Sequence, residues 1–126
     1  MLGGNTYDKA ADLFDSWFQK LELAENKKII PLAHFWPHDR AFLLDWLGQS
    51  AFNLYFDWRY RDLLTACVVM NDRADLAVEQ IPYPKLDLGY ICSQLRVERL
   101  SPHEALSDAV ATAEAYRLLL KHSIGH

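Results

Sequence analysis

Ile29-Ile30-Pro31-Leu32-Ala33-His34-Phe35-Trp36-Pro37-His38-Asp39 is the stretch on which the fold turns. Its first part is a short apolar run with two β-branched isoleucines. That is too brief for a helix, and it predicts a buried strand over Ile29 to Ala33. Pro31 donates no ladder hydrogen bond, so this strand is expected to lack an ordinary partner on one side. A helix should start near Asp39, run through Phe42, Leu43, Leu44, Trp46 and Leu47, and stop at Gly48. A strand that feeds a helix in this way points to an α/β chain.

The flanking sequence extends the pattern. Upstream, Ala10, Leu13, Phe14, Trp17, Phe18 and Leu21 recur at three- and four-residue spacing, which predicts an amphipathic helix from Asn5 or Thr6 to near Ala24. Downstream, Leu54-Tyr55-Phe56-Asp57-Trp58 reads as a second short strand, and Asp62 as the cap of a helix carrying Leu63, Leu64, Cys67, Val68 and Met70. Two prolines make Ile81-Pro82-Tyr83-Pro84 a loop. Leu88, Ile91, Cys92 and Leu95 share one helical face. Ser101-Pro102-His103-Glu104 combines a capping-box serine and glutamate with proline at the first helical position, so the last helix is expected from there to about His122. The expectation is a helix-dominated α/β chain with two short strands and five helices.

Composition bounds what such a chain does. With 126 residues, 51% hydrophobic and 24% charged, one globular body is expected. A net charge of -4 argues against a protein that coats nucleic acid through general electrostatics. The absence of a long apolar run and of signal-peptide features leads to an expectation of a cytoplasmic location with no membrane partner. Cys67 and Cys92 stand apart and read as reduced core residues.

Few residues carry chemistry. His103 and Asp108 are five apart, and on a regular helix that leaves their side chains about 140° apart. They converge only if His103 projects from the lip of the helix while Asp108 points across the fold. Asp39 at a helix start is stabilised by the dipole and serves equally as a cap. His34 and His38 are candidate zinc ligands by type, although Pro37 between them argues against a regular helical pair.

Two of these segments resemble a known family. His103-Glu104-Ala105-Leu106-Ser107-Asp108-Ala109, continuing through Ala111-Thr112-Ala113-Glu114, resembles the third motif of the DEDDh 3′-to-5′ exonucleases, the group of proofreading subunits and RNase T. The segment Ala33 to Leu43 resembles the second motif, with Phe35 where the family usually has asparagine and His38 where it has phenylalanine. Arg61-Asp62-Leu63 resembles the family's short strand ending in aspartate, and Lys85 to Leu95 its connecting helix. The resemblance spans Ile29 to about Leu120.

The resemblance implies a truncated RNase H-like exonuclease domain, with residues 1–126 forming a single partial domain. Metal-dependent hydrolysis of a phosphodiester in DNA or RNA would use a pair of Mg²⁺ or Mn²⁺ ions. Asp39 and Asp108 would be metal ligands, and His103 the catalytic residue that positions or deprotonates water. The family's Asp-x-Glu motif precedes the helix with which this chain begins, and no Asp-x-Glu occurs in the sequence. Weak metal binding and little or no nuclease activity are therefore expected of the isolated chain. The Ile29 to Ala33 edge that would pair with the first strand is expected to recruit another chain, either a second copy in a homodimer or a partner bearing the missing strands. Trp17, Phe18, Ile29, Ile30, Trp36 and Trp46 are the side chains available for such burial. A non-catalytic homo-oligomeric or protein-binding module built on the same scaffold is the alternative.

Overall fold

A computed structural model describes residues 2–124. The described residues form six helices and two short strands, in the order α1 (Leu2–Lys20), β1 (Leu32–Ala33), α2 (Trp36–Leu47), α3 (Gln49–Tyr55), β2 (Arg61–Asp62), α4 (Leu63–Leu76), α5 (Leu88–Leu95) and α6 (Ala105–Ile124). The chain alternates between two compact units. The first holds the chain up to Pro31 and Pro37–Tyr60; the second holds Leu32–Trp36 and the chain from Arg61 onward.

The first unit is organised around aromatic rings. Phe14 and Phe18 of α1 each meet the Tyr55 ring of α3 at 4.9 Å between centroids, and Phe14 meets Trp46 of α2 edge-on at 6.1 Å. Such tilted and edge-on pairs are favoured by the ring quadrupoles and add to the area they bury. The Tyr55 hydroxyl donates to Asp15 Oδ1 at 2.7 Å, so the polar tip of a buried ring is satisfied. Gly48 separates α2 from α3 at φ 81°, a conformation an L side chain rarely adopts, and nothing crowds its Cα.

Two sequence expectations are corrected here. Leu54 to Trp58 is not a regular strand: Leu54 and Tyr55 end a helix, and Phe56 alone makes a β-bridge, with Ile29. Phe52, Tyr55 and Phe56 are buried at helical spacing while Leu54 is exposed, so tertiary burial on one helical face overrides the β preference of the aromatics. This adds the sixth helix, α3. The first helix ends at Lys20 instead of Ala24, because Glu22 and Asn26 take positive φ values of 50° and 67° and turn the chain.

The Ile29 to Ala33 segment is broken where its proline sits. Ile29 forms an isolated parallel bridge with Phe56, its N–H donating to the Tyr55 carbonyl at 2.8 Å and its carbonyl accepting from Asp57 at 2.8 Å. Beyond Pro31, β1 pairs in parallel with β2, Leu32 opposite Arg61 and Ala33 opposite Asp62. Between the two pairings lie two residues on one side and four on the other. The surplus is taken up by a turn in which the Asp57 carboxylate accepts both the backbone N–H and the guanidinium of Arg59.

The second unit has the better-sealed core. Leu63, Cys67, Ile91 and Cys92 are fully buried and pack with Tyr83, Ala111, Ala115 and Leu119. The alanines allow α6 to approach α5 closely. Asn71 of α4 pins the proline loop, its side chain donating to the Tyr83 carbonyl at 2.8 Å and accepting from the Tyr83 N–H at 2.9 Å. Of the apolar residues expected to await a partner, Trp36 is already buried at 5% exposure, whereas Trp17 and Ile30 are 49% and 45% exposed. No helix among the described residues is long and apolar enough to cross a membrane.

Tyr55 supplies a pH test of the first unit. Burial, together with the Asp15 carboxylate that its hydroxyl meets, pushes its pKa from 10.0 up to about 12. A raised folded-state pKa contributes stability that is complete below pH 10 and is lost as pH rises through about 12. In an ultraviolet titration of the folded protein, one tyrosine should ionise last, and Tyr55→Phe should remove that final step. A titration in which every tyrosine ionises near its ordinary value while the fold persists would contradict this packing.

Candidate functional site

The predicted motif residues lie at helix starts. Asp39 occupies the first turn of α2 in the first unit and is exposed, where the helix dipole favours its charge. His103 and Asp108 both lie in the second unit.

The start of α6 departs from the capping box. Residues 101–104 form a turn closed by the Glu104 N–H on the Ser101 carbonyl at 3.1 Å, and the helix begins only at Ala105. The Ser101 N–H is satisfied from within α6 by the Ser107 hydroxyl at 3.0 Å, so the polar exchange that a capping box would make at Glu104 is made at Ser107. His103 lies in this turn at φ 71°, a region that histidine visits more readily than most residues. Because it is outside the helix, the 140° separation from Asp108 does not apply. His103 lies near enough to Asp108 to act on its charge, in the direction that favours the carboxylate.

Asp108 has a second partner that the sequence did not reveal. Arg99 Nη2 donates to Asp108 Oδ1 at 2.8 Å, with 16% of the arginine and 29% of the aspartate side chain exposed. The Arg99 hydrogen bond holds the Asp108 carboxyl below the usual carboxylate range; the guanidinium charge and nearby His103 act in the same direction, against partial desolvation. The path of Arg99 follows from the end of α5. Arg96 takes the left-handed conformation at φ 59°, the Val97 N–H returns to the Cys92 carbonyl at 2.8 Å, and the Arg96 N–H to Ser93 at 3.3 Å. This is the Schellman arrangement. It turns Val97 onto the core and brings Arg99 back along α5. There the guanidinium rests over Gly89, where a Cβ would lie 3.1 Å from Arg99 Nη1 and 3.3 Å from Asp87 Oδ2. A glycine inside a helical pattern is a recognised sign of close approach, and it was the one local signal available for this contact.

His34 is engaged elsewhere. Its Nε2 donates to the Leu86 carbonyl at 2.7 Å, a bond that fixes the ring and uses that nitrogen. Asp62 joins three elements: as the end of β2 it caps α4 by accepting the Thr65 N–H at 3.1 Å, and its other oxygen accepts the Trp36 N–H at the start of α2 at 2.7 Å. An open groove of about 440 Å³ in the second unit, lined by Met70, Arg73, Gln80, Tyr83, Leu119 and His122, contains none of the predicted site residues.

Carboxylate oxygen is the donor that Mg²⁺ or Mn²⁺ prefers. However, the Asp108 carboxylate is already engaged by the Arg99 guanidinium, and no three His, Cys, Asp or Glu side chains gather among the described residues. The donor set as it stands does not fit a metal pair. No family model, no curated protein and no solved structure matches the chain.

Proposed function

We propose that this chain is an exonuclease-like module of the DEDDh type, RNase H-like in descent, in which Asp39 answers to the second-motif acid, His103 and Asp108 to the third-motif residues, and phosphodiester cleavage requires further acids. The placement of His103 in the turn before α6 and of Asp108 in its first turn supports this reading, since the separation that a continuous helix from Ser101 would impose does not apply. The order of elements is in keeping with it: a parallel strand pair, with helices between the strands, and the second-motif segment directly after the first strand. Phosphodiester hydrolysis by paired ions needs carboxylates on both ions. The isolated chain should therefore leave 5′-labelled single-stranded DNA and RNA intact with Mg²⁺ or Mn²⁺. Coding DNA upstream of Met1 is the decisive addition. An in-frame apolar strand bearing Asp-x-Glu, in an extended chain that trims 3′ ends and loses the activity on Asp108→Ala, supports the proposal. An extended chain carrying those acids that folds and trims nothing sinks it.

The exposed apolar side chains of the first unit favour a second reading, a homodimeric or protein-binding module. Leu13, Phe42 and Leu54 are 71%, 61% and 56% exposed, and a contact between chains would take such side chains out of water. Light scattering of the chain at micromolar concentration should then give twice the mass of one chain. A single 14.6 kDa species would exclude the homodimer.

A further inference from the structure

We propose that the outer face of α6 is a dimer seam, on which a second copy of this chain lays the same face antiparallel about a two-fold axis at Ala113. The helix is apolar on both sides. Ala111, Ala115 and Leu119 face the core at 2%, 0% and 4% exposure, as expected of an amphipathic helix. The opposite side should then be polar, yet it carries Leu106, Val110, Ala113, Arg117 and Leu120, spaced four, three, four and three residues apart, which is the spacing of a helix-pairing seam. Leu106, Val110 and Leu120 are 78%, 61% and 50% exposed. The one charged member, Arg117, is balanced by Glu114 on its own helix, at 2.9 and 2.6 Å.

A second copy is the occupant because the stripe is complementary to itself in reverse. Leu106 and Leu120 each lie seven residues from Ala113, so antiparallel copies bring them together at both ends. Arg117 lies four residues after Ala113 and Ala109 four before, so the long side chain runs past a small one. Glu104 lies nine before and His122 nine after, beside Lys121, so an acid at the start of one α6 meets the basic last turn of the other. Antiparallel helices also set opposite ends of their dipoles side by side, and a closed two-fold contact lets one face satisfy itself. All these residues lie in the second unit, so the seam is distinct from the exposed apolar side chains of the first and independent of the nuclease reading.

Cysteine cross-linking of the full chain at micromolar concentration tests the seam, because Cys67 and Cys92 are buried and do not compete. With a short bismaleimide, Ala113→Cys should give a covalent dimer. Leu106→Cys alone should not, since its two copies would lie about 21 Å apart along the helices, seven residues on each side of the axis at about 1.5 Å per residue. A mixture of Leu106→Cys and Leu120→Cys should cross-link. Val110→Glu, at an exposed position, should keep the circular dichroism of the wild type and raise the dimer dissociation constant about tenfold or more in sedimentation, because it buries an unpaired charge at the seam. Cross-linking of Leu106→Cys by itself overturns the proposal. A dimer that Val110→Glu leaves intact and Ala113→Cys does not capture also overturns it, and assigns the contact to the first unit. A chain that sediments as a monomer overturns it as well; slower maleimide labelling of Leu106→Cys in a chain extended upstream of Met1 would then assign this face to the added segment. A dimer captured at Ala113→Cys and lost on Val110→Glu supports the seam whatever an extended chain does to nucleic acid.

Discussion

Asp62→Ala should destabilise the protein by about 2 to 4 kcal/mol, a large fraction of the few kcal/mol that hold a domain of this size folded. The side chain is 7% exposed and uses both oxygens, one on the Thr65 N–H at 3.1 Å and one on the Trp36 N–H at 2.7 Å. Removing it costs the cap of α4, ordinarily about 1 kcal/mol. It also takes from the Trp36 N–H an acceptor in a dry location, where a lost partner costs about 1 to 3 kcal/mol. Asp62→Asn separates the two contributions. An amide has one accepting oxygen, so it can satisfy one of the two N–H groups and should cost about half as much as alanine. Urea denaturation monitored by tryptophan fluorescence measures both. An alanine variant within about 0.5 kcal/mol of wild type would show that Asp62 does not join these elements.

Ile91→Ala should cost about 2 to 5 kcal/mol and lower the melting temperature by roughly 10 °C or more. Ile91 is 0% exposed and lies at the centre of the cluster formed with Leu63, Cys67 and the alanines of α6. Ala111 and Ala115 of α6 share this cluster, so part of the wall has no long side chain with which to refill the space. The cavity should persist and the cost fall toward the upper end of the range. Ile91→Val removes a single methyl group and should cost about 0.5 to 1.5 kcal/mol. Calorimetry on the three proteins checks the ordering. Near-equal melting temperatures would mean that α5 is not packed as described.

Legibility was uneven along the chain, for identifiable reasons. The helix over Leu88 to Leu95 and the cap at Asp62 were predicted where they occur, because an amphipathic repeat and a side-chain cap are local devices. Leu54 to Trp58 reads as a strand because aromatic residues suit a strand and a buried helical face alike, and only the contacts of Tyr55 with Phe14 and Phe18 choose between them. Ser101 to Glu104 was read as a helix start from a strong local signal. The observed turn instead uses the Ser107 hydroxyl and puts His103 at a positive φ, outside the helix that carries Asp108.

The sequence by itself determined the helical character of the chain, the placement of Asp39 near one helix start and of Asp108 near another, and the disruption of the Ile29 to Ala33 strand by its proline. These follow from periodicity, dipoles and a missing N–H, which act within a few residues. Tertiary structure decided which strand pairs with β1, where α6 begins and what holds Asp108. The nine residues between Arg99 and Asp108 carry no pattern that pairs them. Their contact arises because the left-handed end of α5 reverses the chain and Gly89 leaves room for a guanidinium, and both act through the packing of α5 on α6.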